Sequence, residues 1–354
     1  MARNLRFVVL GLGMGVHHCR AILNAKGADL AGVCDHDPER LEQGVKEFGV
    51  KAFARWSDVL RDPSIDVVCI VTESGTHADF GIEAARAGKH IIMEKPIDVT
   101  PRRIAKFEQA VTRAGVKCGC VFQSRMDACN SLIHKSIVAG RMGSIIGVHA
   151  QLPWLRPDSY FEGVHGVWRG TWKWDGGGSL MNQGIHTLDL MCWFAGPVQS
   201  VAGFHRVHVH RIEAEDQVVA VLNFENGALG TLFTTTCAIP EGTQRIHMFG
   251  TKGSFSRHAS RLEFYEMGSA AERQRMMERF GGGAKADSAA KDPMALSVEG
   301  HTKIVEDLVK AVRNNTETAI PIASARHAVD VAAAIYKSGR IGREVAVGEV
   351  LRGR

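Results

Sequence analysis

The stretch L-R-F-V-V-L-G-L-G, from Leu5 to Gly13, decides the fold of the first third of the chain. An apolar run that ends in glycines is typical of a buried parallel strand followed by a tight turn. The next stretch, from Val16 to Ala25, is compatible with a helix. A glycine turn between a first strand and a helix is where a dinucleotide-binding fold holds its phosphates.

The alternation of strand and helix continues beyond this turn. Helix-compatible stretches begin at Asp37-Pro38, His77 and Thr100-Pro101, and each is followed by an apolar run. The apolar runs expected to be strands are Leu30–Asp35, Ile65–Val71, His90–Met93 and Val116–Phe122. Strands that alternate with helices indicate βαβ units and a parallel sheet. We therefore predict an α/β fold in which residues 1–123 form a Rossmann domain with a doubly wound parallel sheet.

The pattern changes after Gln123, where strand-like segments follow one another without long helices. Glu225-Asn226-Gly227 and Thr251-Lys252-Gly253 are typical hairpin turns. The strand-like segments are Ser144–Gln151, Val198–Val209, Gln217–Phe224, Ala228–Thr236 and Arg245–Phe249. We predict that residues 124–354 form an α+β domain for substrate binding and oligomerisation, with a large open, mostly antiparallel sheet. Helices can cover one face of such a sheet and leave the other for a partner subunit.

The last part of the chain is predicted to be helical. Gly268–Pro293 is rich in Gly, Ala, Ser, Arg and Lys, so we expect a long surface loop that contains a short helix. Helices are expected at Val298–Asn314 and Ser324–Ser338.

Composition excludes several classes of protein. The chain has 354 residues, of which 45% are hydrophobic and 23% charged, values that are ordinary for two globular domains. The net charge is +5, and the sequence has no basic run interleaved with aromatic residues, so no nucleic-acid partner is expected. No apolar run reaches the roughly 18 residues of a membrane span, and no secretory segment precedes the first strand. With eight cysteines and no C-x-x-C pair, we expect a cytoplasmic protein with reduced thiols and no membrane partner.

The residues around the glycine turn favour NAD as the dinucleotide. Gly11 permits the tight turn, and Gly13 lets a pyrophosphate approach the backbone. Asp35 ends the second strand, where a carboxylate accepts hydrogen bonds from the ribose hydroxyl and repels the 2′-phosphate of NADP. In a purely structural role, Asp35 would hold a turn or cap a helix. Arg40 is near enough in sequence to meet a phosphate. Val16 occupies the position of the third small residue of the G-x-G-x-x-G fingerprint, so we expect the packing of helix on strand to differ there.

Two later motifs carry candidate catalytic residues. Glu94-Lys95-Pro96 follows a strand of the parallel sheet, so Lys95 is expected in the crevice beyond the strand ends. Gly176-Gly177-Gly178 permits close approach to a ligand or cofactor. The residues Asn182, His186 and Asp189 that follow have helical spacing and are expected on one helix face. The structural alternative is a buried histidine satisfied by Asp or Asn.

Histidines elsewhere do not form a predicted metal site. On a strand, His205 faces away from His208 and His210, and no cysteine or acid completes a ligand set. His17-His18 is more typical of a helix start near a pyrophosphate. We predict no metal.

Together, the G-x-G turn, E-K-P and G-G-G-x-L-x-[DN]-x-G-I-H-x-x-D resemble the Gfo/Idh/MocA family, which includes glucose–fructose oxidoreductase and inositol dehydrogenase. The resemblance covers nearly the whole chain and implies a Rossmann domain joined to an open-sheet α/β domain. It also implies NAD(P)-linked oxidation or reduction of a sugar, cyclitol or related polyol, with Lys95 as the active-site lysine and His186 as the acid/base. Asn182 departs from the aspartate of many members, so no carboxylate is expected between Lys95 and His186.

The predicted site follows from these motifs and this resemblance. The expected catalytic residues are Lys95, His186 and Asn182. The expected cofactor-binding residues are Gly11, Gly13, Met14, Gly15, Asp35, Arg40, Thr72, His77, Glu94 and Lys95. The expected substrate-binding residues are Lys95, Arg169, Trp172, Asn182 and His186, and Arg169 and Trp172 are alternatively an ion-pair residue and a core residue.

Three functions remain open at this point. The first is an NAD-dependent dehydrogenase acting on a secondary hydroxyl of a sugar or cyclitol, with a homodimer or homotetramer as its assembly. The second, suggested by Asn182 and the W-R-G-T-W segment, is a nucleotide-sugar dehydrogenase, such as one acting on a UDP-sugar. The third is a non-catalytic NAD-responsive binding protein.

Overall fold

A computed structural model describes residues 3–163, 166–282 and 297–352. They divide into two compact units. The first comprises the described residues up to Met126 and those from 297 to Arg326. The second comprises the described residues from Asp127 to 282 and those after Arg326. Among the described residues, no helix combines the length and apolarity that a bilayer crossing requires.

Fourteen strands are described, and their bounds lie close to many of the predicted ones. They are β1 (Leu5–Leu10), β2 (Ala28–Cys34), β3 (Lys51–Phe53), β4 (Val67–Ile70), β5 (His90–Met93), β6 (Cys118–Cys120), β7 (Ile145–Pro153), β8 (Val198–Arg206), β9 (Gln217–Phe224), β10 (Leu229–Thr235), β11 (Arg245–Gly250), β12 (Ser254–His258), β13 (Arg261–Glu266) and β14 (Val345–Ala346).

The described α-helices number eleven. They are α1 (Gly15–Asn24), α2 (Pro38–Phe48), α3 (Trp56–Arg61), α4 (His77–Arg86), α5 (Pro101–Ala114), α6 (Ala128–Val138), α7 (Ile185–Ala195), α8 (Ala270–Phe280), α9 (Glu299–Asn314), α10 (Ile322–Ile341) and α11 (Glu349–Arg352). A π-helix, Ser179–Gly184, runs directly into α7.

The first unit contains a six-stranded sheet in the order β3-β2-β1-β4-β5-β6, with all neighbours parallel. This order reverses at β1, as in the Rossmann fold. The helix starts follow from the sequence: the Asp37 side chain accepts hydrogen bonds from the N–H groups of Glu39 and Arg40, and Pro38 opens α2. The predicted doubly wound parallel sheet is confirmed.

The helix α9 belongs to the first unit, although the predicted boundary assigned everything after Gln123 to the second. Ile304, Val305, Leu308 and Val309 recur at helical spacing and are buried in one core with Ile22 of α1. An apolar stripe of this kind must be covered, and the first unit covers it. The division therefore falls at Met126, and again within α10 after Arg326.

The second unit contains an eight-stranded sheet in the order β13-β12-β11-β7-β10-β9-β8-β14. Every neighbouring pair is antiparallel except β10 with β7, so the predicted large, mostly antiparallel sheet is confirmed. Burial alternates strictly along β9, as expected for a sheet with one covered face. The helices α7 and α10 lie on the covered face, where Gly230 meets Met191 and Gly203 meets Ile335.

Some local predictions differ from the structure. The strands β12 and β13 were not predicted, and β8 ends at Arg206 rather than Val209. The Asp216 carboxylate accepts the N–H groups of His208, Val209 and His210, which removes these donors from the sheet. As predicted, the segment after Gly268 contains a helix, α8, which begins with a capping box at Ser269. Residues 283–296 of that segment lie outside the described part of the chain.

Candidate active site

The glycine turn has the geometry that a dinucleotide fold requires. Gly11 has φ +88°, and a Cβ there would lie 2.4 Å from Val71 O. A Cβ on Gly15 would lie 2.9 Å from Val9 Cγ1, so Gly15 provides the close contact between helix and strand. Val16, which occupies the fingerprint position, therefore does not need to be small. Met14 precedes α1 without a side-chain cap, so the first-turn N–H groups can meet a phosphate.

Asp35 directly follows β2 and is buried. Its Oδ2 accepts the N–H of Leu12 at 2.7 Å, and its Oδ1 accepts the N–H of Asp37 at 2.9 Å. Asp35 thus holds the turn, as the structural alternative expects, and these two hydrogen bonds fix its carboxylate beside the glycine turn. Each carboxylate oxygen has a further lone pair for a ribose hydroxyl. Arg40 Nη1 lies 4.0 Å from the Cβ position of Gly13, which places its guanidinium at the same turn.

The loops after β4 and β5 are joined by buried His77. Its Nδ1 lies 2.7 Å from the Pro96 carbonyl oxygen, and its Nε2 lies 3.0 Å from the Thr72 carbonyl oxygen. The Thr72 hydroxyl lies 2.7 Å from that of Thr76. His77 thus has an evident structural role, and Thr72 lies at the carboxyl edge of the sheet, where such folds bind ligands.

Lys95 is half-buried directly after β5, and the carboxylate of Glu94 fixes its backbone. Glu94 Oε2 accepts the Lys95 N–H at 2.7 Å. Glu94 Oε1 lies 3.0 Å from His18 Nε2 and 3.7 Å from His301 Nε2. Burial alone would raise the pKa of Glu94, but hydrogen bonds from the two histidines outweigh burial and hold that pKa well below its ordinary value.

In the second unit, the glycine block leads into the π-helix rather than into an α-helix. Asn182 lies in the π-helix and His186 in the first turn of α7, so a single α-helical face does not carry all three predicted residues. Asn182 and His186 are half-buried, whereas Asp189 is only 1% exposed. A π-helix has i→i+5 hydrogen bonds and is frequent at functional sites, and it shifts the phase of the residues that follow.

The three glycines approach protein groups, not only a ligand. A Cβ on Gly177 would lie 2.1 Å from the Tyr336 hydroxyl, and a Cβ on Gly178 would lie 1.9 Å from Glu215 O. The Glu215 side chain accepts the N–H groups of Ser179 and Leu180 at 2.8 and 2.9 Å. The glycines are therefore needed for a buried carboxylate to reach the start of the π-helix.

Glu215 has surroundings unlike those of Glu94. Burial raises the pKa of Glu215 to about 8, against the lowering effect of its hydrogen bonds from Tyr336, Leu180 and Ser179. All of these donors are neutral. Sequence reasoning missed both Glu215 and Tyr336, because they lie far along the chain from the glycine block.

A second carboxylate missed by sequence reasoning holds Asn182. The Asn182 Nδ2 atom lies 2.8 and 3.0 Å from the two carboxylate oxygens of buried Asp175. Asp175 also accepts the N–H of Gly170 at 2.9 Å. Asn182 therefore donates toward Asp175, and its amide orientation is set by that carboxylate.

Arg169 and Trp172 have structural contacts within the second unit. Arg169 donates to the Tyr160 carbonyl at 2.9 Å and lies 4.1 Å from the centre of the Tyr160 ring. Trp172 packs edge-on against Tyr336 and His205. Arg169 therefore meets a carbonyl oxygen and an aromatic ring rather than the acid of the predicted ion pair, and half-buried Trp172 packs at the edge of the core. The substrate roles of both residues stay a prediction.

The described residues contain one cluster with metal-ligand character, and it does not include His205, His208 or His210. His210 meets Asp158 and the Thr236 carbonyl, and His205 packs against aromatic rings. The cluster consists of buried His18, Glu94 and His301.

Comparisons with known proteins agree with this architecture. Residues 5–122 match the family model described as "Oxidoreductase family, NAD-binding Rossmann fold", and residues 131–256 match "GFO/IDH/MocA C-terminal domain". The chain is 30% identical over 268 residues to scyllo-inositol 2-dehydrogenase (NAD(+)) of Bacillus subtilis, covering 72% of this chain and 74% of that one. It is 27% identical over 318 residues to levoglucosan dehydrogenase of Pseudarthrobacter phenanthrenivorans, covering 79% and 80%.

A solved structure is also similar over almost the entire chain. The WlbA dehydrogenase from Bordetella pertussis, in complex with NADH and UDP-GlcNAcA, superposes with a TM-score of 0.88 at 30% identity and 98% coverage of each chain. The fold and site thus define an oxidoreductase with an NAD-binding Rossmann domain. The chain belongs to the Gfo/Idh/MocA family. The predicted family, enzyme class and NAD cofactor are confirmed.

Proposed function

We propose that this enzyme oxidises a secondary hydroxyl of a sugar, sugar derivative or cyclitol. The observation that carries the proposal is half-buried Lys95, which directly follows β5 at the carboxyl edge of the Rossmann sheet with its backbone held by Glu94. The inositol dehydrogenase relative supports the same substrate class. Gly11, Gly15 and Asp35 fit NAD, because the turn is closed to side chains and the carboxylate is fixed beside it.

The proposed chemistry divides between two side chains. His186 takes the hydroxyl proton, since an imidazole has an ordinary pKa near 6.5 and can act as a base at neutral pH. The Lys95 ammonium donates to the same oxygen and stabilises the developing alkoxide. NAD, when bound, supplies the acceptor for the hydride from the carbinol carbon. The products are a ketone, NADH and a proton, and Asn182, held by Asp175, orients the substrate hydroxyl.

The test is a panel of inositols and sugars with NAD and with NADP, followed by NADH absorbance. On the best substrate, Lys95→Ala and His186→Ala are expected to lower kcat by about 10²-fold or more, and His186→Ala is expected to retain NADH binding. Lys173→Ala, an exposed lysine in the second unit, is the matched control and is expected to keep full activity. Full activity in both catalytic variants would refute the assigned roles.

A nucleotide sugar is a second candidate substrate. The observation that favours it is the similarity to WlbA along 98% of both chains, together with the UDP-GlcNAcA in that structure. A panel of UDP-sugars and UDP-sugar acids, measured beside the free sugars, separates the candidates. Turnover at least about tenfold more efficient with a UDP-linked substrate would select the second candidate, and preference for a free polyol would select the first.

We also propose that the open sheet pairs with a second copy of the chain. Its uncovered face carries the exposed apolar residues Phe204, Val219, Val221 and Leu229, which lie on β8 to β10. A contiguous apolar face of this kind is typical of a subunit interface. Light scattering is expected to report a dimer or tetramer that Val219→Lys dissociates, while Val138→Lys, at an exposed position of α6, does not dissociate it. A monomeric wild type at micromolar concentration would contradict this proposal.

The cytoplasm is the proposed compartment. Seven of the eight cysteines are buried thiols, which a reducing environment preserves. Protein isolated without reductant is expected to yield eight reactive thiols after unfolding, and a lower count would contradict the proposal.

A further inference from the structure

We propose that His18 and His301 are positioning residues for Lys95: they orient the Glu94 carboxylate, which in turn fixes the Lys95 backbone. The inference rests on the proposed role of Lys95. It adds two residues that no motif contains and makes helices α1 and α9 part of the support of the active-site lysine.

The first step of the argument is the geometry of the Glu94 carboxylate. One oxygen, Oε2, accepts the N–H of Lys95 at 2.7 Å, and the other, Oε1, faces the Nε2 atoms of His18 and His301 at 3.0 and 3.7 Å. A carboxylate with both oxygens engaged cannot rotate without losing a bond. The backbone position of Lys95 is therefore coupled to the two imidazoles.

The second step is the origin of the three side chains. His18 lies on α1, which follows the glycine turn, Glu94 directly follows β5, and His301 lies on the first turn of α9. The two rings meet edge-on, with centroids 5.0 Å apart. All three side chains are buried. The cluster thus joins three separate elements of the first unit at the base of Lys95.

The third step weighs hydrogen bonding against metal binding, since two imidazoles and a carboxylate are also a ligand set for zinc. A ligating histidine nearly always donates its other ring nitrogen to a protein acceptor or water. The Nδ1 atoms of His18 and His301 are buried and have no hydrogen-bond partner among the described residues. His18 Nε2 is within hydrogen-bond distance of Glu94, and His301 Nε2 faces the same oxygen at 3.7 Å. Because the two Nδ1 atoms lack the acceptor that ligating histidines use, the geometry favours the hydrogen-bonded cluster over a metal site.

The experiment compares steady-state kinetics with NADH affinity in four variants. Glu94→Leu removes the acceptor for the Lys95 N–H and is expected to lower kcat about 10- to 100-fold, because a small misplacement of a catalytic group costs this much. His18→Leu and His301→Leu are expected to lower kcat about 5- to 20-fold by the same displacement. Glu94→Gln keeps an acceptor for the Lys95 N–H and is therefore expected to retain several-fold more kcat than Glu94→Leu.

The NADH dissociation constant and a matched control separate positioning from general loss of structure. The dissociation constant is expected to change less than about threefold in His18→Leu and His301→Leu, because the nucleotide turn is intact. Thr302→Val perturbs the same helix pair, since its hydroxyl reaches the Ala21 carbonyl at 3.4 Å, but it does not touch Glu94 and is expected to retain wild-type kcat. Equal losses in Thr302→Val, or parallel losses of NADH binding, would overturn the inference.

Two further outcomes are decisive. Stoichiometric zinc in the purified wild type that is absent from Glu94→Leu would identify a metal site and overturn the hydrogen-bonded cluster. Wild-type kcat in all the leucine variants, with kcat lost in Lys95→Ala, would refute the positioning role alone. Full activity in Lys95→Ala would instead refute the proposed function.

Discussion

Each of the two units uses a buried glutamate to hold the backbone of a segment that carries a proposed catalytic residue, but the two carboxylates lie in opposite electrostatic surroundings. Glu94 accepts the N–H of Lys95 and faces two imidazoles, and its pKa is lowered. Glu215 accepts two N–H groups of the π-helix and the Tyr336 hydroxyl, and its pKa is raised to about 8. Hydrogen bonds from two imidazoles and the nearby Lys95 charge outweigh burial at Glu94, whereas burial and the nearby Asp175 charge outweigh the neutral donors at Glu215.

The largest expected effect comes from removing the space that Glu215 needs. In Gly178→Ala, the new Cβ would lie 1.9 Å from the Glu215 carbonyl oxygen and 2.6 Å from Oε2. Since the first contact is with backbone, the start of the π-helix must move, and we expect a loss of about 3 kcal/mol or more. Thermal unfolding measures this loss, and Gly348→Ala, with no atom within 4 Å of its Cβ position, is the control. A melting temperature equal to that of the control would contradict the packing described for the glycine block.

The second prediction tests the raised pKa of Glu215. Between the ordinary pKa of 4.5 and the folded value of about 8, the folded state keeps a proton that the unfolded chain has lost. Stability supplied by this proton is therefore complete below about pH 4.5 and is lost as the pH rises through about 8. Glu215→Gln removes the titrating group, so the decline in the free energy of unfolding is expected to flatten by up to about 1.4 kcal/mol per pH unit across this window.

Denaturant unfolding of this variant between pH 5 and pH 9, as approximate limits of the window, measures the slope. Glu225→Gln, at an exposed hairpin, is expected to keep the wild-type slope. An unchanged slope in Glu215→Gln would mean that its hydrogen bonds keep the carboxylate ionised.

The third prediction has the opposite sign. Because the pKa of Glu94 is lowered in the folded state, its contribution to stability is present above about pH 4.5 and is lost as the pH falls. Glu94→Gln is expected to cost about 2 kcal/mol at neutral pH, the value of a charged hydrogen bond, and less in acid. Urea unfolding at several pH values measures the difference, and a deficit that grows toward low pH would contradict the lowered pKa.

The sequence predicted those strands, helices and turns whose residues show a local pattern, such as an apolar run or a turn dipeptide. Leu5–Gly13 predicted the Rossmann sheet, and Asn226-Gly227 predicted the hairpin between β9 and β10. The contacts of the site come from distant parts of the chain: His301 reaches Glu94 from α9, and Glu215 reaches the π-helix from the segment just before β9. Side-chain periodicity does not report such long-range contacts, and it does not distinguish a π-turn from an α-turn.

The smallest expected effect concerns Gly15, the first unit's counterpart of Gly178. A Cβ on Gly15 would lie 2.9 Å from Val9 Cγ1, a side-chain atom that can shift, whereas Gly178 faces a carbonyl oxygen. We therefore expect Gly15→Ala to cost only about 1 kcal/mol and to weaken NADH binding a few-fold, by moving α1 relative to β1. Calorimetric titration with NADH and thermal unfolding measure the two effects. A loss as large as that of Gly178→Ala would mean that the first unit is packed as tightly as the second at its glycine turn.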